Sequence, residues 1–307
     1  MDGGLTITFI SVAMFVGSFI LGFIPLLFRL TEKSLQFVSI LGAGLLCGTA
    51  LSIVIPEGVG LLERSWSVGS FSSSSPDVQL RQNASEKNAT STEIGSPPQF
   101  FIGVALTFGF TLMFVVDQIG SYFSMRANSA GITATLGLVI HAAADGFALG
   151  AAVATGQVSV QVIVFFAVIL HKAPAAFGLV SFLMHAGLDR KYIMGHLLAF
   201  SAAAPIVAIT TYFILHASGS SSQSQLSATG VGMLFSAGTF LYVATVHILP
   251  EVSSRTGQSS SDLQQNTEHE QPHHHHHHQR HLGLLGSLTF ILGVGLPMVL
   301  ALGLQDD

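Results

Sequence analysis

Leu138-Val139-Ile140-His141-Ala142-Ala143-Ala144-Asp145-Gly146 lies inside a longer apolar run, Ala130 to Thr155. At about 1.5 Å rise per residue, roughly 20 such residues cross the ~30 Å hydrocarbon layer of a bilayer, so the run reads as a transmembrane helix. It carries two ionisable groups, and their spacing of four stacks imidazole and carboxylate one turn apart on one face. Each such group inside a span costs about 2.5–3.5 kcal/mol on insertion scales and therefore needs a partner, a cavity or a metal. Imidazole with carboxylate suits zinc, iron or manganese, and spacing alone does not choose among them. A His–Asp hydrogen bond that merely joins helices is the plain alternative.

Working outward, the rest of the chain has the same character. Only 9% of the 307 residues are charged, where a soluble domain carries about 25%, which excludes an ordinary water-soluble enzyme. Eight stretches qualify as spans: Leu5 to Leu30, Ser34 to Leu62, Phe100 to Phe123, Ala130 to Thr155, Ser159 to Met184, Tyr192 to His216, Leu226 to Glu251 and Leu282 to Leu304. The expected fold is an all-α integral membrane bundle of eight helices. The first run is longer than a signal h-region and lacks a basic n-region, so no cleavable signal is expected. The 11 basic residues form no patch, so nucleic acid is not an expected partner, whereas membrane lipid is. The single cysteine, Cys47, forbids an intramolecular disulfide or a CxxC motif.

Two polar segments interrupt the pattern, Glu63 to Gln99 and Val252 to Arg280, and both read as flexible loops. The first carries the sequons Asn83-Ala84-Ser85 and Asn88-Ala89-Thr90, usable only on a lumenal or extracellular face. The second carries His273, His274, His275, His276, His277 and His278, with His269 and His281 nearby, and reads as a metal-catching loop; a purification tag is the bland reading of an internal run. Arg29, Lys33, Arg126, Arg190, Lys191, Arg255 and Arg280 all fall in alternate loops, while the opposite short loops and both termini carry no Lys or Arg. The positive-inside rule places the basic loops, and the histidine run with them, in the cytosol, and both termini outside or in a lumen. Residues 1–62 would then hold spans 1 and 2, 63–99 an extracellular or lumenal loop, 100–251 spans 3 to 7, 252–281 the cytosolic His-rich loop, and 282–307 span 8 with a short lumenal tail.

Other spans carry polar groups that an anchor helix would not need. Span 5 reads His171-Lys172-Ala173-Pro174, where the proline frees a carbonyl and bends the axis next to an imidazole. The expected partner of Lys172 is Asp117 or Asp145, or its ammonium reaches an interface. Asp117 of span 3, Glu57 of span 2 and Glu251 of span 7 are pathway or structural candidates, and span 7 adds His247. Spans 2 and 7 share wording: Gly48-Thr49-Ala50-Leu51 and then Pro56-Glu57, Gly238-Thr239-Phe240-Leu241 and then Pro250-Glu251. Counted from an outside terminus, span 2 runs outward and span 7 inward, so the similarity suggests an inverted repeat, a transporter trait.

Taken together, His141-Ala-Ala-Ala-Asp145-Gly146, His171-Lys172-Ala-Pro174 and the stretch from Gly238 to Glu251 resemble the Zrt/Irt-like (ZIP) metal transporters, and the likeness extends over essentially all spans, fading in the two long loops. The resemblance implies eight helices in a 3+2+3 inverted arrangement, usually dimeric, that move zinc, and in some members iron, manganese or cadmium, toward the cytosol. It implies metal ligands at His141, Asp145 and His171, with His247 as a fourth contact. Ala142 stands where the family usually has Asn and Ala175 where it has Glu, and Lys172 occupies a position that is acidic in members holding two metals, which argues against a second, bridging ion. Zinc is expected as transported substrate, contributing to intracellular zinc homeostasis from a Golgi or plasma membrane, with no organic cofactor. One branch of the family is also associated with androgen binding and G-protein signalling, so a membrane steroid receptor is the alternative. No phosphate loop and no HExxH is present, so neither an ATP-driven pump nor a zinc protease is expected.

Overall fold

The computed structural model describes residues 2–28, 31–72, 97–127, 130–185, 187–250 and 283–305. Eight helices are long and apolar enough to cross a membrane, and the described residues contain no strand. They are α1 (Gly3–Leu27), α2 (Glu32–Thr49, a π-helical turn Ala50–Val54, then Ile55–Ser72), α3 (Pro98–Ala127), α4 (Ala130–Ala154), α5 (Val158–His185), α6 (Arg190–Ala217), α7 (Ser222–Val243 with a π-helical turn Ala244–Ile248) and α8 (Leu284–Gln305). Helices are the natural outcome, because lipid offers no hydrogen-bond partner and each helix satisfies its own backbone. Where a start needs help, a hydroxyl supplies it: Thr31 and Ser221 each accept from the N–H three residues on, at 3.3 Å.

The polar segment expected to begin at Glu63 is corrected at its edges. Helix α2 runs on to Ser72 and α3 starts at Pro98. The extension is helical because Leu61, Leu62 and Ser65 are buried along it, and Trp66 lies 6.3 Å from Phe101 of α3, ring centre to ring centre. Asn83, Asn88, Glu251, His269, His273 to His278 and His281 lie outside the described residues.

Helices α4 and α7 are the most enclosed and α3 and α8 the least, so the first two form the centre. The principal pairings are α4 with α6, α2 with α8, α3 with α7, α4 with α7, α2 with α7, α1 with α6, α1 with α5, α2 with α5, and α4 with α5. Exchanging α1 for α6, α2 for α7, α3 for α8 and α4 for α5 maps this set onto itself. The outer pairs are close. A Cβ on Gly48 would lie 2.6 Å from the Val294 carbonyl oxygen of α8, and one on Gly238 would collide with the Leu106 carbonyl of α3. Small residues let helix backbones touch where no hydrophobic force drives them together.

Both π-helical turns sit in one relation to a proline. Ile55 N–H donates to the Ala50 carbonyl and Leu249 N–H to the Ala244 carbonyl, and each donor immediately precedes Pro56 or Pro250. A proline has no N–H and its ring crowds the carbonyl four residues earlier, so widening the turn before it relieves the clash. The Gly-Thr-x-Leu blocks are not in this register: Thr49 precedes its proline by 7 residues and Thr239 by 11.

Candidate metal site

Three of the residues singled out from the sequence meet at the centre of the bundle. His141 and Asp145 project from α4 and His171 from α5, and one ligand atom from each lies within 4.8 Å of the others. All three are buried, at 2%, 3% and 4% exposure. His171 Nε2 is 2.8 Å and His141 Nε2 3.3 Å from Asp145 Oδ2. The two rings stack loosely beneath Phe240 of α7, with centres 5.2 and 5.6 Å from it.

The surrounding hydrogen bonds assign the protons. His171 Nδ1 lies 2.6 Å from the Ala167 carbonyl oxygen, which only accepts, so this nitrogen carries the hydrogen. Thr239 spends its hydroxyl proton on the Ser236 carbonyl at 2.6 Å, so its oxygen accepts from His141 Nδ1 at 2.9 Å. His141 therefore turns a bare Nε2 toward the site, whereas His171 Nε2 meets Asp145 Oδ2 at hydrogen-bond distance, 2.8 Å, with a proton or a cation required between them. Ser236 Oγ donates to Asp145 Oδ1, leaving Oδ2 to face the two imidazoles. Among the described residues, His141 Nε2 is a buried nitrogen without a hydrogen-bond partner, because its approach to Asp145 is poorly aligned. Two imidazole nitrogens and a carboxylate oxygen this close require positive charge between them, a proton or a metal ion.

A divalent cation would supply that charge. Zinc bonds of about 2.0–2.1 Å in tetrahedral geometry separate ligand atoms by about 3.3 Å, close to the observed spacing. Three protein ligands make an open site, of the kind that exchanges its fourth partner, rather than a closed structural one. A void of about 10 Å³, bordered by His141, His171, Ser236, Leu46 and Phe240, adjoins the cluster.

His247 is corrected. It is not in the cluster: its Nε2 lies 3.2 Å from Asp117 Oδ1, its side chain is half exposed, and Asp117 also accepts from Tyr242 Oη at 2.8 Å. The π-helical turn holds His247 more than one turn beyond Phe240, on the far side of that ring from the cluster. Lys172 is corrected too. It pairs with neither Asp117 nor Asp145 and reaches no interface; it is 1% exposed, donates to the Phe200 carbonyl of α6 at 3.3 Å, and sits 4.1 Å above that residue's ring. On α6 its ammonium finds a carbonyl and an aromatic face, with no carboxylate at ion-pair distance among the described residues. Glu57 stands apart from the cluster, paired with Arg64 at 3.2 Å.

Pro174, Asp117 and His247 line a second, much larger cavity of about 450 Å³. Its walls come from the start of α2 (Val38, Ser39), the start of α4 (Thr133), and the ends of α3, α5 and α7. These helix ends share one side of the bundle, next to the loops rich in Arg and Lys. Leu46 and Phe240 border both cavities and form the partition between them. Sequence reasoning missed Ser236 entirely, and Thr239 and Phe240 were visible only as part of the repeated Gly-Thr-x-Leu block.

Known proteins lead to the same place. A family model described as ZIP Zinc transporter matches residues 4–131 and 124–301. The chain is 46% identical over 319 residues to Zinc transporter ZIP9-B of Xenopus laevis, covering 99% of this chain and 100% of that one. It is 46% identical to Zinc transporter ZIP9 of Micropogonias undulatus over 99% of both chains. With Zinc transporter ZIP9 of Macaca fascicularis, 53% identity extends over 170 residues, or 55% of this chain and 67% of the other. Across its whole length, and around an intramembrane His/Asp site, the chain belongs to the ZIP zinc transporter family.

Proposed function

We propose that this chain carries Zn²⁺ as its substrate from the extracellular space or a secretory-pathway lumen into the cytosol, by alternating access around His141, Asp145 and His171. The observation that carries the reading is the convergence of two imidazole Nε2 atoms and a carboxylate oxygen, all buried, in the middle of an eight-helix bundle. Such a set binds a soft-to-borderline divalent cation and, with no fourth protein ligand among the described residues, releases it. Direction is supported by the Lys/Arg asymmetry, which puts the large cavity on the cytosolic side and both termini outside. The exchange symmetry of the helix pairings and the matched π-helical turns support a 3+2+3 inverted repeat, with rocking of one repeat against the other as the movement.

Within this reading Asn83 and Asn88 are glycosylation sites, the histidines from His269 to His281 receive exported ions, Glu251 lies at the exit, and the protein works as a homodimer in Golgi or plasma membrane. No enzymatic step is assigned to it. The alternative, a steroid receptor coupled to a G protein, has one observation on its side, the mostly apolar cavity of about 450 Å³, a size that suits a small ligand. Saturable binding of labelled androgen to purified protein decides it.

The experiment is zinc flux into proteoliposomes containing the purified chain, compared with His171→Ala and with a deletion of His273 to His278. Flux by the intact and the loop-deleted protein, abolished by His171→Ala, is expected. Equal flux by His171→Ala would sink the site assignment.

A further inference from the structure

The ligands come from α4 and α5, yet their chemistry is set from α7. Thr239 is 0% and Ser236 2% exposed, so no water competes for either hydroxyl. Without the Thr239 oxygen, His141 Nδ1 would be left with the weaker acceptors of Ser236, its hydroxyl 3.5 Å away and its backbone carbonyl. The ring would then be free to hold its hydrogen on Nε2, 3.3 Å from an acceptor, Asp145 Oδ2. In that tautomer the ligand atom carries a proton and binds no metal. Ser236 does the matching task for the carboxylate: by donating to Oδ1 it fixes the plane of Asp145 and leaves Oδ2 as the oxygen that faces both rings.

We infer that Ser236 and Thr239 are positioning residues that hold His141 in its metal-binding tautomer and Asp145 in its metal-binding orientation. The inference rests on the transport reading above. It has a mechanical consequence. Ser236, Thr239 and Phe240 lie within about one turn of each other on α7 and all meet the α4 and α5 ligands, so a displacement of α7 that moves the Phe240 partition withdraws both hydroxyls from the ligands as well. Opening the site toward the large cavity and loosening its grip on the ion are then one event, which suits a carrier that must release its cargo.

The test is zinc flux in proteoliposomes as a function of zinc concentration, for the full chain, Thr239→Val, Thr239→Ser and Ser236→Ala. Valine keeps the shape of threonine and removes only the hydroxyl. Loss of an outer partner of a metal ligand weakens metal binding by about 10- to 100-fold, so Thr239→Val is expected to raise KM by about 10-fold or more at nearly unchanged maximal rate. Thr239→Ser restores the parent KM, and Ser236→Ala raises KM. An unchanged KM in Thr239→Val and Ser236→Ala overturns the inference. So does a fall in maximal rate alone, or a failure of Thr239→Ser to rescue, either of which marks a purely structural threonine. If Thr239→Val does not fold, the KM of Ser236→Ala decides. Absence of flux in the parent chain would instead overturn the transport reading itself.

Discussion

Individual residues at the centre divide into those that bind, those that aim and those that block. Removing a ligand leaves too few donors to hold an ion, so His141→Ala is expected to abolish zinc uptake at normal expression, as measured by flux into cells or vesicles. Phe240 is a different case, since it touches the rings without offering a lone pair. Its replacement by Ala should join the small void to the large cavity. With Cys47→Ser as background, a cysteine placed at Ala237, which borders the void, should then react faster with a thiol reagent. An unchanged rate would show that Phe240 is not the partition. Lys172 is buried without a carboxylate, and the Phe200 carbonyl it meets already belongs to a helix. Because replacing buried ionic groups with apolar side chains of similar volume is often neutral or stabilising by about 1–4 kcal/mol, Lys172→Met is expected to leave thermal stability equal or higher. A large loss would mean that the ammonium holds α5 to α6.

At the scale of helices, close approach rather than hydrophobic segregation decides which elements pair. Gly48 meets the backbone of α8 directly, whereas a side chain at Gly17 of α1 would meet nothing within 4 Å. Gly48→Leu therefore has to push α8 away, and overpacking of this kind costs about 1–3 kcal/mol or more. Gly17→Ala should be neutral or slightly stabilising, because glycine weakens a helix interior. Thermal unfolding in detergent of the two variants, side by side, separates packing from mere substitution. The prolines act on the same scale. Pro56 and Pro250 each sit two residues past the end of a widened turn, and those turns lie in α2 and α7, the two helices whose residues form the Leu46 and Phe240 partition. A helix with a built-in irregularity bends there at low cost, so the moving parts of the carrier are placed where the hydrogen-bond ladder is already disturbed.

For the whole molecule, the large cavity lies toward the helix ends that adjoin the basic loops, which the positive-inside rule assigns to the cytosol. Cys47 is the only cysteine in the chain, so a Cys47→Ser background with Ser39→Cys places a single thiol in the cavity wall. A membrane-impermeant thiol reagent should label it from the cytosolic face and not from the outside of intact cells. Labelling from outside would reverse the orientation and with it the proposed direction of transport.

Hydropathy by itself determined that the chain crosses the membrane eight times, because lipid leaves a long apolar run no option except a helix that satisfies its own backbone. Spacing of four residues was enough to put His141 and Asp145 on one face. The loop boundary at Glu63 was legible only coarsely, since a helix continues for as long as it has something to pack on, and polar composition does not reveal that. Which other groups join His141 and Asp145 was decided by the tertiary structure alone. His171 and His247 look equally eligible in one dimension, yet α5 brings the first to the cluster and the π-helical turn of α7 leaves the second beside Asp117. The same holds for Ser236 and for the carbonyl that receives Lys172. The physical reason is that in a membrane bundle both the lipid-facing and the core-facing sides of a helix are apolar, so the pattern of residues does not say which side points inward. Only the contact of Gly48 with α8 and of Gly238 with α3, and the packing of α4 against α7, settles the rotation of each helix and thereby the membership of the site.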